Sequence, residues 1–562
     1  MEILDWIVIA TFFMALIGII VWVVKQKQND SADYFLGGRD ATWVAIGASI
    51  FASNIGSEHL IGLAGAGASS GMAMAHWEIQ GWMILLLGWV FVPFYSRSMV
   101  YTMPEFLERR YNPQSRTILS IISLVSYVLT KVAVTVYAGG LVFQQVFGIK
   151  ELWGIDFFWI AAIGLVVLTA LYTIFGGMKS VLYTSVLQTP ILLLGSLVIL
   201  ALGLKELGGW DEMIKICGGV TVNEYGDTMT NLIRSNNDPN FPWLGALIGS
   251  SIIGFWYWCT DQFIVQRVLS GKNEKEARRG TIFGAYLKLL PVFLFLIPGM
   301  VAFALHQKYI GDGGFLPMLA NGNPNADAAF PTMVAKLLPA GMKGLVVCGI
   351  LAALMSSLAS LFNSSAMLFT IDFYKRFKPQ TSEKKLVAIG QTATIVIVIL
   401  GILWIPIMRS VGDVLYTYLQ DVQSVLAPGI AAAFLLGICW KRASAKGGMW
   451  GLLSGMIIGL TRLGAKVYYS NVADAADGIF KHLFYDLNWL FFCGWMFLFC
   501  IIVVIVVSLL TEAPLPEKIQ GLVLGTATPE QKASTHASWN KWDVIHSIII
   551  LGITGAFYWY FW

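Results

Sequence analysis

The sequence has few charged residues: aspartate, glutamate, lysine and arginine make up 12% of its 562 residues, whereas hydrophobic residues make up 57%. Soluble chains typically hold about 25% charged and roughly 45 to 50% apolar residues. This composition excludes an ordinary soluble protein and predicts a polytopic chain whose partner is the lipid bilayer. The net charge of +4 is too small to indicate a nucleic acid partner.

Motifs for covalent chemistry are also missing. The six cysteines form no CxxC pair and no Cys/His spacing typical of a metal site. The sequence contains no GxxxxGK[ST] phosphate-binding loop and no spacing typical of a catalytic triad. We therefore expect neither an enzyme nor an ATP-driven pump, and no organic cofactor.

Long apolar stretches are abundant, and a stretch of about 20 such residues crosses a bilayer as a helix. The first stretch lacks a basic leading region and a cleavage site, so we expect it to be retained and not removed as a signal peptide. Fourteen spans are predicted, at residues 4–24, 43–68, 72–96, 117–147, 155–176, 180–204, 241–265, 281–305, 343–372, 385–408, 412–438, 447–465, 487–510 and 542–561.

The positions of lysine and arginine predict the orientation. With the N-terminus outside, most of the 37 basic residues fall in cytoplasmic loops, as the positive-inside rule requires. We therefore expect both termini to lie outside a cell membrane. The outside loops carry no Asn-x-Ser/Thr acceptor for glycosylation, which favours a bacterial inner membrane.

Two predicted spans are interrupted by polar residues and glycine. The first interruption, residues 52–59, lies inside span 43–68, and the second, residues 256–262, opens another group of five spans. Unpaired peptide groups at membrane depth survive only where they line a protected cavity, so the first break suggests a bound ion. The matched pair predicts an inverted-repeat transporter. The alternative is that small and polar residues merely allow close helix packing.

Several long motifs resemble a known family. These are DYFLGGR (33–39), WYWCTDQFIVQRVLSGKN (256–273), GAYLKLLP (284–291), AALMSSLASLFNSS (352–365) and AAAFLLGICWKR (431–442). They resemble the sodium/glucose cotransporter branch of the solute:sodium symporter family. The resemblance implies an all-α membrane protein of about fourteen helices around a five-plus-five, LeuT-type core. Residues 1–562 then form one membrane transport domain, with an extra N-terminal helix (1–30), repeat one (41–205), repeat two (241–438) and additional C-terminal helices (446–562).

The resemblance also implies a sodium site between the first broken helix and the helix that follows residue 342. Its ligands would be the carbonyls of Ala52, Ile55 and Ala353 and the hydroxyls of Ser356 and Ser357. Such a set agrees with the preference of hard cations for oxygen. The alternative is that the two serines bond back to carbonyls one turn earlier.

Two positions depart from relatives that bind a second sodium ion. Ser185 stands where those relatives have a carboxylate, and Ala359 stands where they have a hydroxyl. Both departures remove oxygen ligands or charge, so we predict one sodium ion per sugar. The resemblance also implies that this carboxylate serves the exit of the ion, so Ser185 leaves the exit route in this chain undetermined.

For a sugar, the resemblance implies polar ligands, an aromatic platform and two gates. The hydroxyl ligands would be Asn54, His59, Glu78, Lys288 and Gln420; Tyr257 would stack on the ring and close the inner gate, with Trp258 beside it; and Leu63, Trp77 and Tyr416 would form the outer gate. Many family members have glutamine at the position of His59, whereas glucose-specific members often have histidine, so the resemblance points to glucose or galactose. The alternative is that His59 is a packing residue of an apolar helix.

Glu78 and Lys288 also stand out without the family, because a charged group within a span is costly and normally faces a cavity or a partner. The alternative role is structural: a buried ion pair of Lys288 with Glu78 or Asp261. We interpret Arg267 and Asp372, near span ends, as structural residues. The role of Asp261 stays open.

These inferences together predict a sodium-coupled symporter that imports glucose or galactose by alternating access. The rival substrates are myo-inositol, another sugar or a nucleoside. A non-transporting sugar sensor is the rival class, and we disfavour it because Gln420 retains the glutamine of the transporters.

Overall fold

The computed structural model describes the backbone of residues 1–26, 30–56, 58–319, 322–409, 415–472 and 477–562. The described chain is mainly helical, as the sequence predicts. Its strands form one two-stranded antiparallel hairpin, Glu151–Leu152 with Ile155–Asp156. The α-helices are Ile3–Lys25, Ser31–Leu36, Trp43–Asn54, Ala64–Ser70, Ala75–Glu78, Gly81–Leu86, Val92–Ser98, Met103–Arg110, Pro113–Ser126, Ala133–Phe147, Phe157–Leu207, Trp210–Gly218, Trp243–Gly254, Gln262–Leu269, Glu274–Lys288, Ile297–Lys308, Ala329–Leu337, Met342–Met367, Lys375–Phe377, Glu383–Arg409, Leu415–Cys439, Ala445–Asn471, Ile479–Lys481, Trp489–Leu510, Pro529–Ala537 and Lys541–Tyr560.

Wider and tighter helical turns join many of these helices. The π-helical segments are Glu58–Leu63, Leu87–Phe91, Tyr127–Val132, Phe255–Thr260, Val292–Leu296, Leu368–Tyr374 and His482–Asp486. The 3₁₀ segments are Gly37–Arg39, Gly71–Met74, Ile310–Asp312, Ala326–Ala328 and Pro516–Lys518. π-Turns inside helices are frequent at functional sites because they redirect side chains.

Nine helical segments in the described part of the chain are long and apolar enough to cross a membrane. One of them, Phe157–Leu207, has 51 residues, which at 1.5 Å per residue is about 77 Å and far exceeds a hydrocarbon core of about 30 Å. It is kinked at Gly177, where φ is +52°. The predicted spans 155–176 and 180–204 lie on either side of this kink, whereas the total of fourteen stays a prediction.

Burial distinguishes central from peripheral helices. The most apolar stretch of Met342–Phe377 is 89% buried inside the protein, and that of Glu274–Lys308 is 83% buried. In Ile3–Lys25 and Lys541–Tyr560 the corresponding value is 22%. The first two therefore belong to the core, and the other two leave most of their apolar surface for lipid.

The first predicted break is present. The helix Trp43–Asn54 ends at Ile55, whose backbone is extended (φ −82°, ψ 108°), and helical structure resumes with the π-segment Glu58–Leu63. The Ile55 amide makes the last helical bond, to the Phe51 carbonyl. The Gly56 amide donates to His59 Nδ1 (3.5 Å). It therefore does not make the next helical hydrogen bond, to the Ala52 carbonyl. We call residues 43–70 the first broken helix.

The second break is present as well. The helix Trp243–Gly254 runs into the π-segment Phe255–Thr260, and Asp261 is extended (φ −76°, ψ 128°). A new helix, Gln262–Leu269, starts there, and the Asp261 carboxylate accepts a hydrogen bond from the Phe263 amide at its N-terminus. We call residues 243–269 the second broken helix.

Glycines bring the first broken helix against the segment Glu274–Lys308. A Cβ atom on Gly67 would lie 2.1 Å from the Leu296 carbonyl oxygen, and one on Gly299 would lie 1.9 Å from that of Ala64. On the other side of the break, a Cβ atom on Gly47 would lie 2.9 Å from the Gly280 carbonyl oxygen. Both halves of the broken helix therefore contact this one segment at backbone distance.

Candidate functional site

A cavity of about 70 Å³ lies between the two broken helices. All seven predicted sugar-binding residues line it, together with the gate residue Trp77 and the sodium candidate Ser357. The other lining residues are Glu58, Gln80, Lys131, Thr135, Ile253, Gly254, Phe263, Leu361 and Gln423. The structure thus brings together residues that are more than three hundred positions apart in the sequence.

A buried chain of polar contacts crosses this cavity. Lys288 Nζ donates hydrogen bonds to Glu78 Oε2 (2.6 Å) and to Asn54 Oδ1 (3.1 Å). The second carboxylate oxygen of Glu78 lies 3.5 Å from His59 Nε2. Lys288, Glu78 and His59 are each at most 3% exposed. The sequence leaves two partners open for Lys288. The ion pair with Glu78 is present, whereas Asp261 pairs with Lys131 instead.

The aromatic residues of the second broken helix form one wall. The Tyr257 hydroxyl accepts a hydrogen bond from Asn54 Nδ2 (3.2 Å), which connects the two broken helices. The Trp258 ring packs edge-on against that of Tyr257, with centroids 4.9 Å apart, and its indole nitrogen donates to Gln80 Oε1 (3.1 Å). These bonds fix an apolar ring surface beside the charged groups.

Two of the three predicted outer-gate residues, Leu63 and Trp77, lie among the residues whose side chains the structure describes. Leu63 is fully buried, and Trp77 stacks on Trp489 with ring centroids 5.5 Å apart. The side chain of Tyr416 lies outside the described residues. The indole nitrogen of Trp77 and Oε1 of Gln420 are buried and have no hydrogen-bond partner among the described residues.

The predicted sodium ligands lie on two adjacent helices. Ala52, Ile55, Ala353, Ser356 and Ser357 are all at most 3% exposed. Beside them, the hydroxyls of Ser53 and Ser360 form a hydrogen bond (2.7 Å) that connects the first broken helix to the helix Met342–Met367. Because the Ala52 carbonyl is released from the helical ladder, this junction can offer oxygen atoms from both helices to one cation.

Ser185 contacts this junction directly. Its hydroxyl lies 3.2 Å from that of Ser356 and 3.5 Å from that of Ser49. It also donates to the Val181 carbonyl one turn earlier (2.6 Å). Ser185 therefore supplies a neutral hydroxyl beside the predicted sodium ligands.

Lys131, which lines the cavity and is partly buried, forms an ion pair with the buried Asp261 that the sequence does not predict. Lys131 Nζ lies 2.7 Å from Asp261 Oδ2 and 4.8 Å from the centre of the Tyr257 ring. The other Asp261 oxygen accepts a hydrogen bond from Tyr127. The available signal was a lysine within a predicted span, which is costly without a partner.

The two residues interpreted as structural both form buried contacts, those of Arg267 directly behind the cavity-lining residue Phe263. Asp372 lies 2.6 Å from Arg116 Nη2 and accepts a hydrogen bond from Thr102 (2.8 Å). Arg267 Nε donates to Ser53 (3.1 Å) and its guanidinium lies over the Phe263 ring at 5.0 Å. These contacts join helices at one end of the bundle.

Comparisons with known proteins agree with this architecture. The model of the sodium:solute symporter family matches residues 34–455. The chain is 38% identical to the sodium/myo-inositol cotransporter 2 of Oryctolagus cuniculus, over 92% of this chain and 78% of that protein. It is 35% identical to the sodium/glucose cotransporter 4 of Danio rerio, over 92% of this chain and 80% of that protein.

The fold also matches a solved structure, the substrate-bound outward-open state of a Na⁺-coupled sialic acid symporter. The TM-score is 0.73 at 23% identity, over 91% of this chain and 99% of that one. The predicted fold class, an all-α polytopic membrane protein of the LeuT type, is confirmed. By its family match and its relatives, the chain belongs to the sodium:solute symporter family and is a Na⁺-coupled, multi-pass membrane symporter.

Proposed function

We propose that this symporter imports a hexose, glucose or galactose, together with one sodium ion by alternating access. The observation that carries the proposal is the buried polar chain Lys288–Glu78–His59, with Asn54 and Tyr257, on the wall of one cavity. A hexose presents a ring of hydroxyls and an apolar face. Charged and amide groups beside an aromatic ring are the partners that such a molecule requires.

Two groups in the cavity are ready for new hydrogen bonds. Gln420 Oε1 is an acceptor and Trp77 Nε1 is a donor, and both are buried without a partner among the described residues. A buried polar atom without a partner costs free energy, which a substrate hydroxyl would offset. The cavity, at about 70 Å³, is smaller than the roughly 300 to 1,000 Å³ of ordinary ligand pockets, so the gates must move to admit a sugar.

Myo-inositol is the second candidate substrate. Sodium/myo-inositol cotransporters stand among the relatives at 36 to 38% identity, beside sodium/glucose cotransporter 4 at 35 to 36%. Myo-inositol also carries a hydroxyl on each ring carbon and would use the same carboxylate, amide and ammonium groups. His59 favours the hexose in our proposal.

Sodium would act by joining two elements of the site. Bound by the carbonyls of Ala52, Ile55 and Ala353 and the hydroxyls of Ser356 and Ser357, it would hold the first broken helix against the helix Met342–Met367. Asn54 lies on that same broken helix and faces the cavity. Sodium and sugar would therefore strengthen each other's binding by the same factor. Release of sodium inside would loosen Asn54 from Tyr257 and open the inner gate.

The proposal includes an orientation and a division of the chain. Both termini would lie outside the membrane, with residues 41–205 and 241–438 forming the two repeats. The N-terminal helix (1–30) and the C-terminal helices (446–562) would be additions around the single domain of residues 1–562. The two broken helices, each early in its repeat, support this division.

Tracer uptake into proteoliposomes tests the substrate. Labelled glucose, galactose, myo-inositol and a nucleoside would each be offered with an inward gradient of sodium, potassium or protons. We expect accumulation of a hexose with the sodium gradient alone. Accumulation of myo-inositol without hexose would establish the second candidate, and sugar binding without accumulation in any arm would contradict transport.

The variant Ser357→Ala tests the sodium site, and Ser365→Ala is its matched control. Both serines lie buried on the same helix, but only Ser357 is a predicted ligand. The loss of one of five oxygen ligands should raise the sodium concentration for half-maximal uptake at least tenfold, about 1.4 kcal/mol. An unchanged sodium dependence in Ser357→Ala would contradict the site, as would an equal shift in Ser365→Ala.

A further inference from the structure

An apolar groove of about 490 Å³ lies on the outer surface of the bundle and shares no lining residue with the substrate cavity. Three elements form it: the stretch 124–128, the π-segment Leu368–Tyr374 and the helix Glu383–Arg409. Its walls are partly exposed, since Val125, Phe369 and Val396 have exposures between 40 and 50%. In a membrane protein such a surface meets the lipid hydrocarbon.

The length of the groove corresponds to one leaflet. Ile389, Ala393, Ile397 and Leu400 follow one another at helical spacing along its floor. At 1.5 Å per residue, the eleven steps from Ile389 to Leu400 cover about 16 Å. Half of a hydrocarbon core is about 15 Å thick, so a single acyl chain can lie along the groove.

Two cations lie at one end of this groove. Lys385 precedes Ile389 by four residues, which puts it on the same helix face one turn nearer the membrane surface. On the opposite wall, Arg376 Nη1 donates to Thr117 Oγ1 (2.6 Å). Thr117 precedes the groove residue Leu124 by seven residues, two turns along the same face.

These cations are available to an anion. Both are exposed, and neither forms an ion pair with a carboxylate among the described residues. The acids nearest to these cations in the sequence are already occupied. Asp372 pairs with Arg116 (2.6 Å), and Glu383 accepts from the Ser31 hydroxyl (2.6 Å) and lies 3.5 Å from Lys375. The end of the groove is therefore positively charged, whereas its floor is apolar.

We propose that this groove binds one anionic glycerophospholipid, with its phosphate between Arg376 and Lys385 and one acyl chain along Ile389–Leu400. Arginine and lysine both bind phosphate oxygens strongly. Basic pockets at membrane surfaces select anionic headgroups. The acyl chain gains contact with a floor that the protein itself leaves uncovered. This site is separate from the transport cavity and does not depend on which solute is carried.

Lipid binding to the full-length purified chain tests the proposal. The protein in detergent would be titrated with 1-palmitoyl-2-oleoyl phosphatidylglycerol or the corresponding phosphatidylcholine, and the bound lipid counted by native mass spectrometry. We expect one phosphatidylglycerol to bind more tightly than phosphatidylcholine. The double variant Arg376→Gln/Lys385→Gln should weaken this binding about fivefold for each cation removed. The variant Ala393→Phe, which fills the floor, should weaken binding of both lipids.

Matched variants separate a built site from general attraction to a basic surface. Lys378→Gln/Lys384→Gln removes two exposed cations of the same membrane face and should leave binding within twofold of the original protein. Gly552→Phe adds the same ring at a lipid-facing position with open space and should have no effect. Equal binding of both lipids, an equal loss in the control double variant, or full binding by Ala393→Phe would each overturn the proposal.

Discussion

At the scale of single residues, Lys288 shows how one charged group can serve both structure and binding. Its ammonium group meets a carboxylate on one side and an amide oxygen on the other, and all three groups are buried. A buried ion pair seldom stabilises a protein more than apolar residues of the same size would. The pair Glu78–Lys288 is therefore better explained by what it offers to a ligand than by stability.

A charge-removal series tests this explanation. Glu78→Gln alone leaves the Lys288 charge without its carboxylate and should lower the free energy of unfolding by about 3 to 5 kcal/mol. The double variant Glu78→Gln/Lys288→Met removes both charges and should recover most of this loss. Thermal unfolding in detergent measures the stability, and tracer uptake measures function. We expect uptake to stay lost in the double variant; restored uptake would mean that the pair is only structural.

Single residues differ in how far the sequence alone predicts their partners. Glu78 and Lys288 were identified because a charge within a span demands a partner, and that partnership is present. The pair Lys131–Asp261 was missed, although Lys131 carries the same signal. The reason is physical: the cost of burial says that a partner exists, but only the packing of distant helices says which carboxylate it is.

At the scale of elements, the kink at Gly177 allows 51 helical residues to form two spans. Its backbone (φ +52°, ψ −147°) lies in a region that is essentially restricted to glycine. A Cβ atom there would also lie 2.4 Å from the Tyr34 carbonyl oxygen. The position has neither the conformational nor the spatial freedom for a side chain.

Gly177→Ala should therefore lower the free energy of unfolding by about 1 to 3 kcal/mol, the usual cost of a strained backbone. Gly164→Ala is the control in the same helix, because its Cβ would meet nothing within 4 Å and its φ is negative. Alanine there should be neutral or stabilising by up to about 1 kcal/mol. Equal melting temperatures of the two variants would contradict this account.

The elements themselves differ in how well the sequence predicts them. Both helix breaks follow from composition, since polar residues and glycine interrupt apolar runs, and both are present at the predicted residues. The seven π-segments in the described chain were not predicted. A π-turn needs only a local change in hydrogen bonding, and its position depends on the packing of neighbouring helices. No residue pattern in the sequence therefore predicts it.

At the scale of the whole molecule, the proposed stoichiometry of one sodium ion per sugar would set the energy available for transport. Ser185 brings a hydroxyl and no charge to the junction. One cation moving down a potential of 100 mV supplies about 2.3 kcal/mol, and a tenfold sodium gradient adds about 1.4 kcal/mol. One ion per sugar therefore limits accumulation to on the order of 500-fold.

The flux ratio of sodium to sugar in proteoliposomes measures this stoichiometry. We expect a ratio of one for the original chain. Ser185→Asp puts a carboxylate beside the predicted sodium ligands, and Val186→Asp puts the same charge one residue away as a control. A ratio of two in the original chain would show that the junction holds a further ion without that carboxylate.

The close glycine contacts of the first broken helix have a consequence for motion. Its two halves lie at backbone distance from the two ends of Glu274–Lys308, through Gly47 and Gly280 on one side and Gly67 and Gly299 on the other. A change in the angle between the two halves at Ile55 and Gly56 would break one of these contacts unless the segment Glu274–Lys308 bent as well. That segment contains Pro291 just before its own π-segment, between the two contact regions. The two bends would thus move together, and the turn at Ile55 and Gly56 could not open without moving Lys288.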